Sequence, residues 1–101
     1  MILITKQLLK QFSKIGDQSE SENPIIIAKF FTPSGSATWY VSEYNPKTNI
    51  CFGYVVGLGT NEWGYFSLTE LKTIRCKPFG LPIERDRWFD EKLFFDLGLE
   101  I

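Results

Sequence analysis

The chain has 101 residues and no histidine, so the commonest general base near neutral pH is missing. Ser-His-Asp and Cys-His devices, the HExxH metalloprotease motif and the HxE deaminase signature go with it. Carboxylate chemistry remains. A glycosidase or a metal-dependent nuclease needs at least two acids converging on a cleft, and the nearest candidates are Glu43, Glu84 and Asp86. Their spacing does not force convergence, and Glu84 and Asp86 alternate with Arg85 and Arg87, the pattern of a solvated, salt-bridged surface. A noncatalytic protein is therefore expected, with a metal-assisted carboxylate hydrolase as the alternative.

Cofactor and metal motifs are equally sparse. Gly53, Gly57, Gly59 and Gly64 do not lead from a strand into a dinucleotide-binding helix, and no Walker loop is present, so no cofactor is expected. Cys51 and Cys76 lie far apart without a CxxC or histidine companion. Zinc, which takes about four ligands, is not expected; the cysteines read as small buried thiols, and a disulfide between them stays open.

Binding is the other chemistry available. Trp63 and Tyr65 share one face of a strand, and Tyr40 and Tyr44 share the face opposite Trp39. Exposed rings of this kind anchor protein partners or stack on bases. Eleven basic against twelve acidic side chains give a formal charge of -1, and only Arg75, Lys77, Arg85 and Arg87 hint at a basic stripe. A protein partner is favoured; weak single-stranded nucleic-acid binding through rings and Arg85 or Arg87 is a third reading. Arg85 also has the side-chain chemistry for a bidentate pair with Glu43 that would anchor the C-terminal segment across a sheet, the equal alternative being two separate solvated charges.

The elements that must position these groups follow from pattern. Thr5 caps a helix from about Lys6 to Ile15, with Leu8, Leu9, Phe12 and Ile15 as its apolar stripe and Gly16 as its end. Asp17 to Asn23 is a polar connector. Pro24 introduces a strand over 25–31 in which Ile26, Ala28 and Phe30 face the core and Lys29 faces out. After a turn at 32–36, the strand from Ala37 to Tyr44 puts Trp39, Val41 and Glu43 on one face, so the Glu43 carboxylate either finds a donor or lies at a fraying strand end. A third strand, Ile50 to Leu58, is bulky on one face and nearly bare at Cys51, Gly53, Val55 and Gly57. The bare face suits a packed ring or a close helix, or alternatively a ligand groove. A strand from Trp63 runs into a helix ending near Ile74, through a capping box at Ser67-Leu68-Thr69-Glu70. A loop is expected over 76–82, a strand or extended ledge over 83–89, and a final turn capped by Asp90.

The expected fold is α+β: a small four- or five-stranded, mainly antiparallel sheet with one or two short covering helices, forming one domain over 1–101. A chain of this length buries roughly 60–65% of its extended surface, enough for one core. Its apolar fraction of 44% contains no run long enough to span a membrane. Met1-Ile2-Leu3-Ile4 has no basic region ahead of it and makes a poor signal peptide, so a cytoplasmic location is expected.

Several segments together resemble a family of short bacterial proteins, a domain of unknown function often encoded on plasmids and other mobile elements. They are Leu3-Ile4-Thr5-Lys6, Lys29-Phe30-Phe31-Thr32-Pro33, Thr38-Trp39-Tyr40, Glu43-Tyr44, Gly64-Tyr65-Phe66-Ser67-Leu68 and Gly80-Leu81-Pro82-Ile83-Glu84-Arg85-Asp86. The resemblance covers most of the chain and brings no catalytic residue with it. It implies a Trp-Tyr pair, a following glutamate and a late Arg-Asp, which here are Trp39, Tyr40, Glu43, Arg85 and Asp86. With Tyr65 these are the candidate binding residues. Mobile-element carriage implies an accessory protein acting on host or element machinery, in defence or counter-defence.

Overall fold

The computed structural model describes residues 1–99. Five strands form one antiparallel sheet: β2 (Ala28–Phe31), β3 (Thr38–Asn45), β4 (Ile50–Val56), β5 (Glu62–Ser67) and β8 (Glu84–Arg85), in the spatial order β5-β4-β3-β2-β8. With helices α1 (Lys6–Ile15) and α2 (Leu68–Thr73), this is the α+β fold expected. Two-residue pairs flank the sheet: β1 (Ile25–Ile26) with β9 (Lys92–Leu93), and β6 (Arg75–Cys76) with β7 (Leu81–Pro82).

The helix ends follow from their caps. The Thr5 hydroxyl accepts from the Leu8 N–H at 3.1 Å, and the Gly16 N–H closes α1 on the Phe12 carbonyl at 2.9 Å. Ser67 accepts from the Glu70 N–H at 3.2 Å to start α2 directly off β5. Phe12 is buried with Leu8 and Ile15 packed beside it, whereas Leu9 turns to solvent. In the β3–β4 turn, Asn49 takes a left-handed φ of 61°. Its side chain accepts from the Tyr44 hydroxyl at 2.6 Å and donates to Thr69 at 2.7 Å, tying the turn to α2.

The two faces of the sheet have separate cores. Ala28, Phe30, Trp39, Val41 and Cys51 pack under Leu3, α1, α2 and Ile83. On the opposite face Ile26, Tyr54 and Phe94 are buried, with Tyr40, Trp63, Phe89 and Leu97 around them. Phe94 belongs to a 3-10 turn, η1 (Phe94–Leu97), that packs on Tyr54 and Trp63 with ring centroids 5.0 and 4.7 Å away.

Two irregularities correct the expected alternation. The strand over 25–31 breaks at Ile27, so Ile26 joins the second core and not the one holding Ala28 and Phe30. In β3 the register slips between Val41 and Glu43, a bulge at Ser42. One extra residue reverses side-chain parity, so Glu43 pairs with Phe52 and leaves the face of Trp39 and Val41, while Tyr44 joins it. Gly53 is bare for a reason neither expected reading supplied: a Cβ there would fall onto the Tyr40 backbone carbonyl. The third strand stops at Val56, leaving Leu58 exposed; residues 76–82 contain a short ladder; and Asp90 caps nothing, since β9 and η1 take that segment.

Gln18, in the connector, repairs the backbone that these breaks release. Its Nε2 donates to the Ile25 carbonyl at 2.8 Å and the Ser42 carbonyl at 2.9 Å, and its Oε1 accepts from the Ile25 N–H at 2.7 Å. The Ser42 hydroxyl donates to the Phe52 carbonyl at 3.1 Å, which satisfies a side chain only 1% exposed. Gln18→Ala removes three bonds and strands their backbone partners, and is expected to cost about 2–4 kcal/mol. Urea unfolding checks this against Gln11→Ala, whose half-exposed side chain makes one long 3.4 Å bond to Glu91 and should change stability by less than about 0.5 kcal/mol; equal midpoints for the two variants would contradict the clamp.

Candidate functional site

β8 lies at the sheet edge beside β2, with Arg85 opposite Phe30 and Glu84 opposite Phe31. Asp86 follows and organises what comes next. Its N–H donates to the Lys29 carbonyl at 2.9 Å, its Oδ1 accepts from the Trp88 N–H at 2.9 Å, and its carbonyl accepts from the Phe89 N–H at 3.3 Å. This is the turn an aspartate makes with its own chain two residues on. The Lys29 ammonium stands 3.8 Å from Asp86 Oδ2 and 5.7 Å from the centre of the Tyr40 ring. Both members of the ion pair are partly exposed, so its stabilisation is on the order of 1 kcal/mol or less and its main effect is positional. Burial, and then the Asp86 charge, hold the Tyr40 hydroxyl above the ordinary phenol range.

Trp88 is 92% exposed as a result, beside a cleft of about 730 Å³ lined by Lys29, Thr32, Glu84, Arg85, Asp86 and Arg87. Sequence reasoning missed Trp88 and Lys29. The available signal was Asp-x-Trp, an aspartate placed to bond the N–H two residues on, inside a stretch read as a strand or ledge.

Glu43 lies elsewhere. It lines a second cavity, of about 460 Å³, with Phe52, Trp63 and Tyr65. Here the rings form a ladder: Tyr65 to Phe52 at 4.8 Å, Phe52 to Trp63 stacked at 5.8 Å, Trp63 to Tyr54 at 5.4 Å. Phe94 covers the Tyr54 end, and Tyr65 is 80% exposed at the other.

The six expected residues thus divide. Tyr40 and Asp86 meet around Lys29, and Arg85 lines the same cleft. Arg85 makes no pair with Glu43: its guanidinium donates to the Ile2 carbonyl, pinning the N-terminal segment to β8. Trp39 is 3% exposed and packs within the first core, away from both cavities' linings. Glu43 and Tyr65 belong to the second cavity. Among the described residues no three of His, Cys, Asp and Glu gather as metal ligands would, and Glu43 opens onto a different cavity from Glu84 and Asp86.

The chain matches, over residues 3–97, the family model described as "Protein of unknown function (DUF2958)", and it belongs to that family. No curated protein and no solved structure matches it. No helix among the described residues is long and apolar enough to cross a membrane.

Both cysteines are free. Cys51 is buried in the first core, and desolvation pushes its thiol up to about 12, so it holds its proton and is a poor nucleophile. Cys76 is partly exposed. Titration with a chromogenic disulfide at pH 8 should report one thiol in the folded protein and two in denaturant; two fast thiols in the folded protein would contradict the burial of Cys51.

Proposed function

We propose that this DUF2958 protein is a noncatalytic accessory protein that binds a protein partner through the Trp88 ledge and its adjoining cleft. One observation carries the reading: a tryptophan almost fully in solvent on a turn fixed by Asp86. Burying so large a ring against a partner would remove much apolar surface from water, and a pre-set turn spares the entropy of ordering it on binding. Tryptophan and arginine dominate interface hot spots, and Arg87 lines the same cleft.

Charge favours a protein over nucleic acid. Lys29, Arg85 and Arg87 share the cleft with Glu84 and Asp86, which weakens the field a phosphate backbone requires. The metal-assisted hydrolase loses support because its three acids are divided between two cavities. The mobile-element carriage implied by the sequence resemblance makes host or element machinery the partner class, with a role in defence or counter-defence, and the cytoplasm the place of action.

The test places the photo-crosslinker p-benzoylphenylalanine at position 88 and, as a control, at position 47 in the β3–β4 turn. Discrete protein adducts are expected from 88 and not from 47. Trp88→Ala should lower recovery of the same partner by about 30-fold, corresponding to a hot-spot loss near 2 kcal/mol. No adduct from position 88, or identical adducts from both positions, would overturn the proposal.

A further inference from the structure

The second cavity carries a different chemistry from the Trp88 cleft. Three aromatic rings, Phe52, Trp63 and Tyr65, line it together with three carboxylates, Asp17, Glu22 and Glu43, and no lysine or arginine is among its lining residues. The Asp17 carboxylate is held below its ordinary range, chiefly by the Ser19 N–H that donates to it at 2.8 Å. Among the described residues the Glu43 carboxylate accepts one long bond, 3.4 Å from the Gln18 N–H, which leaves acceptor capacity for a ligand. The same bulge that turned Glu43 off the Trp39 face puts it opposite Phe52, the central ring of the ladder.

We propose that this notch is a receptor for an arginine side chain presented by a basic peptide segment of a partner protein, distinct from the Trp88 ledge. Ring faces carry the negative end of an aromatic quadrupole and attract a cation placed over them. A planar guanidinium stacks on such faces and turns its fork of N–H donors onto a carboxylate, which an ammonium cannot do in the same way. A cavity of about 460 Å³ holds an arginine side chain with part of its flanking backbone, and the charge of its lining residues is of one sign. A metal ion fits this lining poorly, because the described acids do not gather three together.

The probe is a blocked Gly-Arg-Gly peptide titrated into isotope-labelled protein, with the Trp63 indole N–H and the Tyr65 and Glu43 amides as reporters. Saturable shifts confined to these signals are expected, with Kd in the range of about 0.1–10 mM for a single cation–π and carboxylate contact. The citrulline peptide, isosteric and uncharged, should leave them unmoved, and the lysine peptide should bind at least about threefold more weakly. Glu43→Gln should weaken binding by at least about threefold. Tyr65→Ala, which removes the largely exposed ring at the open end of the ladder, should do the same, with an unchanged amide spectrum elsewhere showing that the fold is kept. Equal shifts from the citrulline peptide, equal affinity for lysine, shifts centred on Trp88, or no shift at about 10 mM would each overturn the proposal.

Discussion

The arrangement of this protein depends on the amide of Gln18. A sheet whose strands alternate strictly would put Ile26 with Phe30 and Glu43 with Val41. Both strands break that rule, and beside the breaks the Ile25 N–H and carbonyl and the Ser42 carbonyl turn to the Gln18 side chain at partly buried positions. One side chain with two donors and an acceptor serves Ile25 and Ser42 together, at a cost to stability far smaller than leaving those groups bare. A hydrocarbon side chain cannot do this, and an ionised glutamate would set acceptors against acceptors.

From that repair comes the division of the molecule into two unlike faces. One is a conventional core of Phe30, Trp39, Val41 and Cys51 under two helices and the N-terminal segment. The other is an aromatic row covered by Phe94 over part of its length. Because β3 reverses parity at Ser42, the open end of that row acquires the Glu43 carboxylate. Without the reversal Glu43 would point toward Phe12 and α1, and burying a charge there unpaired would destabilise the fold. The Asp86 turn is built independently, at the far edge of the sheet, by a carboxylate that bonds its own chain and the neighbouring Lys29.

Much of the fold was legible because local chemistry and tertiary structure agree. Thr5, Gly16 and Ser67 act where their residue types say they should, and the turns at 32–36 and 45–49 interrupt the apolar alternation visibly. The bulge was not legible. Ser42 is an ordinary strand residue, and only the partner strand's register shows that Phe52 pairs with Glu43 while Gly53 pairs with Val41. The C-terminal segment was misread for a related reason: Asp90 has a capping residue's chemistry, but Leu93 and Phe94 pair with the Pro24–Ile26 segment first. As for the site, residue type and the family resemblance identified Tyr40, Glu43, Tyr65 and Asp86 as worth attention; the structure brings Tyr40 and Asp86 together around Lys29 and places Glu43 and Tyr65 at the other cavity. Trp88 was passed over because an exposed tryptophan and a buried one look the same in a sequence.

The most direct measurement of the central claim is a carbon-edited NOE spectrum of the Glu43 side chain. Parity reversal at Ser42 predicts cross-peaks from the Glu43 methylenes to the Phe52 and Tyr65 rings, together with cross-peaks between the Tyr44 and Phe12 rings, whose centroids are 5.9 Å apart. Glu43 cross-peaks to Phe12 and Val41, with Tyr44 facing Phe52, would show a regular strand and contradict the account.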